Sequence, residues 1–481
     1  MSAQFYGAAI WHGYYCTELM QYPDEPPPDD QDATRPEGEE SAPSDESAWE
    51  LPSAVPSAWV GFWPHPDAPS QEEVGRAIAS WIGRELDADS GQPDPDEGML
   101  WALMLRIPGV TSPVVVWAER ALAADSAQLP DENMRASKWV IGMQTVLEAG
   151  EQHAEYFHLV SMLAGSLPEL TGILDVANGR RFTRAELDSQ FLAADAVPND
   201  EFVWTITAIS PDENEDSPMM LFTTGMARCG LPELELLEVP SKHAQTAAVL
   251  MNHVASLLLE EDPPAPGDPF EIGPDIAIAM VPWREYAKYM QDEIPGSLAF
   301  RKVAGSHGDG TLQGVRAVVC APEKQGQFRK VWTWPSNVIN LMEEGRAVLY
   351  ASEHAAVATQ SRAQRTWPAF ATAFASLKRA DSPDVSALAP QAFHVQAPVG
   401  PADQSESREQ GWFLVQKFEG DTVEANLVDD PLTRTDVHAG DTTRILRSDI
   451  TDWRVILPEG VFGPDAGDEL LQAIDKLRGL Q

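Results

Sequence analysis

The sequence predicts an α+β, multidomain protein in which mixed or antiparallel sheets carry packed helices and a small C-terminal β-barrel-like module closes the chain. Three observations lead there. The chain has 481 residues, which at about 150 residues per domain gives about three domains. Short apolar runs of strand length, bounded by Gly and Pro, alternate with segments whose apolar residues repeat at helical spacing. Hydrophobic residues make up 43% and aromatics 8%, too many for a chain that stays unfolded through acidity alone. The expected division is residues 1–120 as an N-terminal α+β unit, 121–270 as a middle α+β domain, 271–400 as a third α+β region and 401–481 as the β module.

An aromatic strand is expected over Phe5–Tyr15 and another over Ala58–Trp63. Between them, residues 23–57 carry eleven acidic side chains against one Arg, with many Pro and Ser. Such a stretch buries too little apolar area to offset the entropy of ordering, so it reads as a disordered, solvated acidic insertion. Ser70-Gln-Glu-Glu73 is a capping box opening a helix, whose apolar face is Val74, Ile78, Trp81 and Ile82 and whose end is signalled by Gly91, Pro93 and Pro95. Met99–Ile107 and Val114–Trp117 read as buried strands. Trp139, Val140, Met143, Val146 and Leu147 mark a second helix, and His153–Leu167 a third.

Thr183-Arg-Ala-Glu186 is a further capping box, with Phe182 placed to staple onto Leu187. Glu201–Ser210 and Met219–Thr224 alternate as a hairpin across the acidic turn Asp212–Asp216. A strand over Leu234–Val239 and a helix over Lys242–Leu259 follow, then a proline-rich boundary at Pro263–Pro269. Strands are expected near Ile276–Val281, Gly314–Cys320 and Ala347–Tyr350, then helix from Ser352 to Lys378 interrupted by Pro368, then a linker over Asp381–Glu409. In the last module Trp412–Phe418, the turn Glu419-Gly420-Asp421 and Val423–Val428 form a hairpin. Thr442–Leu446 and Trp453–Leu457 extend the sheet, with Asp441, Asp452 and Trp453 as turn and core residues, and a helix over Gly467–Leu477 closes it.

Charge excludes whole classes of function. Lys plus Arg number 33 and Asp plus Glu 75, a net charge of −42. A protein that neutralises phosphates needs a basic face, so direct nucleic-acid binding is not expected. No run of about 18 uncharged apolar residues is present, so no membrane span is expected either. The opening residues lack a basic segment followed by an apolar one, and Cys16, Cys229 and Cys320 are odd in number and widely spaced; both features fit reduced thiols in a bacterial cytoplasm. Arg outnumbers Lys 24 to 9, which GC-rich coding explains, with the acidic coat of a halophile as the other reading.

Catalytic signatures are sparse. The chain has no phosphate loop GxxxxGK[ST], no GxGxxG, HExxH, CxxC pair or GxSxG. Gly305-Ser-His-Gly308-Asp-Gly310 lacks a following Lys and reads as a turn, and Asp87–Gly98 lacks the ligand pattern of a calcium loop. His153 and His158 do not share a helix face, so neither a metal site nor a cofactor is expected. The weak catalytic candidates are Cys229, whose neighbour Arg228 would favour a thiolate, and His243 as its base. Trp332, Trp334, Trp412 and Trp453 are candidates for lining a ligand surface.

The blocks LMLRIPGVTSPVVVWAE, ILDVANGRRFT, LFTTGMARCGLPELELLEVP and EIGPDIAIAMVPW resemble the bacterial domain of unknown function 4026 family. GWFLVQKFEGDTVEANLVDDP with AGDTTRILRSDITDWRV resembles domain of unknown function 2314. The resemblance spans most of residues 95–465, and its most specific block is Arg228-Cys229-Gly230 with Pro232-Glu233-Leu234-Glu235. In the family that block follows a His-Thr-His-Gly run, where this chain has Phe222-Thr223-Thr224-Gly225, so no histidine site carries over. The resemblance implies an intracellular bacterial setting and supplies no reaction.

Two functions of different class follow. The first is a non-catalytic acidic protein that binds a basic partner, as an immunity protein binds a secreted toxin domain, with Arg228, Glu233, Glu235, Trp332 and Trp334 as binding candidates. The second is a hydrolase-like enzyme using Cys229 or a carboxylate pair; a scaffold whose terminal β module binds a peptide is a further alternative.

Overall fold

The structure is a computed structural model that describes residues 49–51, 56–91, 98–121, 129, 131–147, 152–212, 214–306, 312, 314–322, 332–378, 392–399, 409–432 and 434–479. The strand expected over Phe5–Tyr15, Cys16, nearly all of the 23–57 insertion, the core of the Gly305–Gly310 turn and most of the Asp381–Glu409 linker lie outside the described residues. The described chain is α+β, with ten helices and three mostly antiparallel sheets. It falls into two compact units, one drawn from residues 1–188, 201–271 and 277–339 and the other from 189–200, 272–276 and 340–481.

The first sheet has seven strands: β1 (Pro56–Trp63), β2 (Ala88–Gly91), β3 (Met99–Leu105), β4 (Val114–Arg120), β5 (Trp139–Val146), β6 (Gly172–Asp175) and β7 (Arg181–Thr183). Their order is β2-β3-β4-β5-β1-β6-β7, antiparallel throughout. With it go α1 (Gln71–Ile82), α2 (Glu132–Ala136), α3 (Gln152–Ser166) and α4 (Arg184–Gln190). Both capping boxes form. Ser70 Oγ accepts from the Glu73 amide at 3.2 Å while the Ser70 amide donates to the Glu73 carboxylate at 2.9 Å, and Thr183 and Glu186 repeat the arrangement.

Three expectations are corrected here. Trp139–Val146 is a strand, not a helix: β5 pairs with β4 and β1 along its length, and burial on both faces requires the unbroken apolar run that also imitates helical spacing. Within β5, Gly142 lies under the Trp117 indole, where a Cβ would sit 2.1 Å from the ring. Helix α1 ends at Gly83, whose φ of 77° closes it eight residues before Gly91. Trp81 is exposed rather than part of the buried face, its ring lying over Gly165 of α3.

The second sheet comprises β8 (Thr205–Ile209), β9 (Pro218–Thr224), β10 (Glu233–Pro240), β11 (Pro269–Gly273), β12 (Ile276–Pro282) and β13 (Arg316–Cys320), in the order β11-β12-β13-β10-β9-β8. The expected β8–β9 hairpin is present, and β10 pairs antiparallel with β9 but parallel with β13. Its helices are α5 (Ala244–Leu258), α6 (Trp283–Ala287), α7 (Leu298–Ser306) and α8 (Ser336–Glu343). Strands from both sides of residue 120 lie in the first sheet, and strands from both sides of residue 270 in the second. Ala347–Tyr350 forms no strand; it runs beside β11, with the Tyr350 amide donating to the Ile272 carbonyl at 2.9 Å.

The third sheet orders β14 (Phe393–Pro398), β15 (Gln410–Glu419), β16 (Thr422–Leu427), β17 (Thr442–Leu446), β18 (Asp452–Leu457) and β19 (Gly460–Phe462) as β17-β16-β15-β14-β18-β19. It stays open, since no ladder joins β17 to β19 among the described residues. The long α9 (Glu353–Lys378) and the short α10 (Gly467–Leu477) supply Trp367, Phe370, Phe374, Leu470 and Ile474 to its core. Pro368 has no amide for the Gln364 carbonyl one turn earlier, which faces the Arg447 guanidinium at 3.5 Å instead.

Candidate functional site

The most specific block of the sequence turns inward. After β9 the chain reaches Gly225, at φ 123°, where a Cβ would sit 2.4 Å from the Val203 carbonyl oxygen. A single 3-10 turn over Met226–Cys229 follows, ended by Gly230 at φ 67°. This turn aims Arg228 into the interior, where it is 2% exposed. Its two terminal nitrogens donate to Asp175 at 2.9 and 2.7 Å, and one also donates to the Val203 carbonyl. The guanidinium lies 4.7 Å over the Tyr156 ring, and the Tyr156 hydroxyl donates to the same Asp175 at 3.0 Å. Burial pulls the guanidinium down, but the Asp175 carboxylate outweighs it and holds the group above its ordinary value. Burial, then the Asp175 charge, drive the Tyr156 phenol far up.

Glu233 and Glu235 are likewise internal. Glu233 accepts from the Thr223 hydroxyl at 2.8 Å and from the amides of Gly225 and Ala227 at 2.8 and 3.1 Å, so its carboxylate holds the turn that carries Arg228. Thr223 in turn accepts from the Leu234 amide at 2.7 Å. Glu235, fully buried, takes Arg301 Nη and Arg316 Nε at 2.5 Å each. Arg301 also donates to the Gly296 carbonyl at 2.9 Å and stacks 4.2 Å over Trp283. Arg228, Glu233 and Glu235, read as binding candidates, thus build a buried polar network and offer no outward face. Asp175, Tyr156, Arg301 and Arg316 were not singled out in the sequence. The signal for the last two was Glu235, a carboxylate in the middle of a largely apolar strand, which demands internal cations.

Cys229 is buried, and the cation beside it in sequence is committed to Asp175. His243 lies past the far end of β10 while Cys229 lies before its start; eight strand residues separate their ends by roughly 25 Å. The structure therefore does not bring the two candidate catalytic residues together. His243 meets Trp334 instead, with ring centroids 5.6 Å apart. Trp332 is buried in the core with Met220, Phe222, Val281 and Cys320. The Cys320 thiol is pushed up to about 12 by burial.

Asp200, Ser352 and His354 superficially resemble a nucleophile triad. Both partners turn to the one carboxylate, Ser352 Oγ at 3.4 Å and His354 Nδ1 in an ion-pair contact, while Ser352 Oγ accepts from the Ala355 amide to cap α9. That is a helix start, not a relay. Among the described residues no three His, Cys, Asp or Glu gather as a metal site, and no helix is long and apolar enough to cross a membrane.

No curated protein and no solved structure matches the chain. The blocks at Leu103–Glu119 and Ile173–Thr183 fall outside the family matches, which begin with β8 and with α9. Residues 206–312 match the family model described as protein of unknown function (DUF4026), C-terminal, and residues 353–465 match that described as uncharacterized protein conserved in bacteria (DUF2314).

Proposed function

We propose that this protein is a non-catalytic, intracellular binder of a basic protein, of the kind that neutralises a secreted bacterial toxin domain. The observation that carries the reading is the disposition of charge. Arg228, Arg301 and Arg316 are buried together with Asp175, Glu233 and Glu235, so the internal network is balanced and the net charge of −42 belongs to the rest of the chain. Acidic groups such as Glu85, Asp87 and Asp89, Asp212, Glu215 and Asp216, and Glu260, Glu261 and Asp262 face solvent in runs. Such a field accelerates encounter with a cationic partner and repels phosphate backbones and anionic lipid. The hydrolase reading has less support, because Cys229 is buried and its only proposed base lies beyond the other end of β10.

The test is titration calorimetry against any basic domain found encoded beside this gene. A complex is expected whose Kd weakens more than about tenfold between ~50 and ~300 mM salt. A Cys229→Ala variant should bind as the parent does. Absence of any complex at low salt, or an affinity indifferent to salt, overturns the reading.

A further inference from the structure

Strand β10 breaks register with β9: Leu236 pairs with Leu221 but Val239 with Met219, so Leu237 and Glu238 together stand opposite Met220. A bulge whose extra residue has positive φ ordinarily seats glycine, which has no Cβ to clash. Here the residue is Glu238, at φ 59°. A side chain held in that conformation against its intrinsic preference directs attention to what the side chain does.

Its surroundings are chemically specific. The Glu238 carboxyl is half-buried, and burial holds it above the usual carboxylate range; the Tyr286 phenol is the group that draws it back. No Lys or Arg pairs with it among the described residues. Tyr286 is 2% exposed, and its hydroxyl, beside the Glu238 carboxyl and the Trp334 backbone, makes no hydrogen bond of proper geometry to either. Trp334, half-buried, carries its indole against His243. A half-buried carboxylate with no cation beside it, a buried hydroxyl without a well-aligned partner and an aromatic pair therefore meet at the end of β10.

We infer that this end of β10 receives a lysine or arginine side chain of the basic partner, its charge against Glu238 and its stem along the Trp334 indole. The inference rests on the proposed function and names its point of contact. A cation supplies what the cluster lacks: it pairs the carboxylate, and the ring faces add cation–π attraction. An anion would meet Glu238 head on, and a neutral group would leave the half-buried charge uncompensated.

The probe is acetylated hexalysine, titrated at low salt against the full chain and three variants. Glu238→Gln should weaken binding about tenfold, as expected for one desolvated charge pair, while Glu261→Gln, an exposed acid on the same unit, should change it less than about twofold. Glu238→Gly should melt higher than the parent, because glycine fits the bulge, yet bind as weakly as the Gln variant; this separates lost contact from lost fold. Equal effects of Glu238→Gln and Glu261→Gln overturn the inference and leave the acidic-surface reading standing. Failure of the parent chain to bind hexalysine at all takes down both.

Discussion

Where the turn after β9 and strand β10 are anchored, the side chains that fix geometry are charged, whereas beneath the third sheet they are aromatic. Asp175–Arg228 and Arg301–Glu235–Arg316 are near-completely buried and pair with one another and with backbone carbonyls, leaving only Arg228 Nε and Arg301 Nη1 of these guanidiniums without a hydrogen-bond partner among the described residues. The third sheet packs Trp367, Phe370, Phe374, Phe393, Phe418 and Trp453 with ring centroids 4.6 to 6.2 Å apart, mostly tilted or edge-on. The two solutions differ in what they contribute. Buried ion pairs gain little net stability after desolvation but penalise every arrangement that leaves one charge unmatched. Aromatic cores gain stability from area and geometry and tolerate small shifts. The charged region therefore specifies which loop meets which strand, and the aromatic region supplies cohesion.

The largest effect expected from this contrast is at Glu235. Glu235→Ala strands two buried guanidiniums, and the loss should reach about 5 kcal/mol, the upper end of the range for breaking a buried pair. The triple variant Glu235→Leu, Arg301→Met, Arg316→Met should recover most of it, because the penalty lies in what remains rather than in what is removed. Urea midpoints with constant slopes measure both. A single variant costing under about 1 kcal/mol would show that water reaches these arginines and would erase the comparison.

Phe370 is the matching position in the other core, in contact with Trp367, Phe393, Phe418 and Trp453. Phe370→Ala should cost about 3–4 kcal/mol through lost transfer energy and a residual cavity. Truncating a neighbour as well should deepen the loss, the opposite of the behaviour at Glu235. If Phe370→Ala together with Phe393→Ala proves more stable than Phe370→Ala alone in the same urea titration, the two cores do not differ in kind.

Legibility in the sequence divides along the same line. The third sheet is local in its determinants: Gly420, at φ 64°, makes the expected turn, and the strand over Thr442–Leu446 and the helix over Gly467–Leu477 fall where turn chemistry and periodicity place them. The misread elements depend on distant partners. Trp139–Val146 becomes a strand only because β1 and β4 flank it, and Ala347–Tyr350 makes a single backbone hydrogen bond with β11 in place of a ladder. The site residues were legible as a block but not as a role. Arg228 finds Asp175 at a separation of 53 residues, and Glu235 finds Arg301 and Arg316 at 66 and 81. Glu238 left no mark at all, since one more acid in an acidic chain does not reveal a backbone in the left-handed region.

The smallest expected effect bears on a buried histidine of the third sheet that has an acceptor but, among the described residues, no acid beside it. His394 on β14 is 8% exposed, directly opposite Arg454 of β18 and Leu414 of β15, with Nδ1 3.3 Å from the Ala392 carbonyl. Burial first, and the Arg454 charge second, hold its pKa below the ordinary histidine value of 6.5. A depressed pKa means that the unfolded chain takes up the proton first. The contribution is complete above about pH 6.5 and is lost as pH falls through the folded-state value. Thermal scans between pH 8 and pH 5 should therefore show a midpoint that declines on the acid side, less than either truncation above lowers it. His394→Gln, which keeps an acceptor and cannot titrate, should flatten that part of the decline while leaving the carboxylate-driven fall at lower pH. An Arg454→Gln variant should soften the decline without removing it, because burial, the larger cause, remains; an unchanged decline in His394→Gln would assign the acid sensitivity to the charged network of the other unit instead.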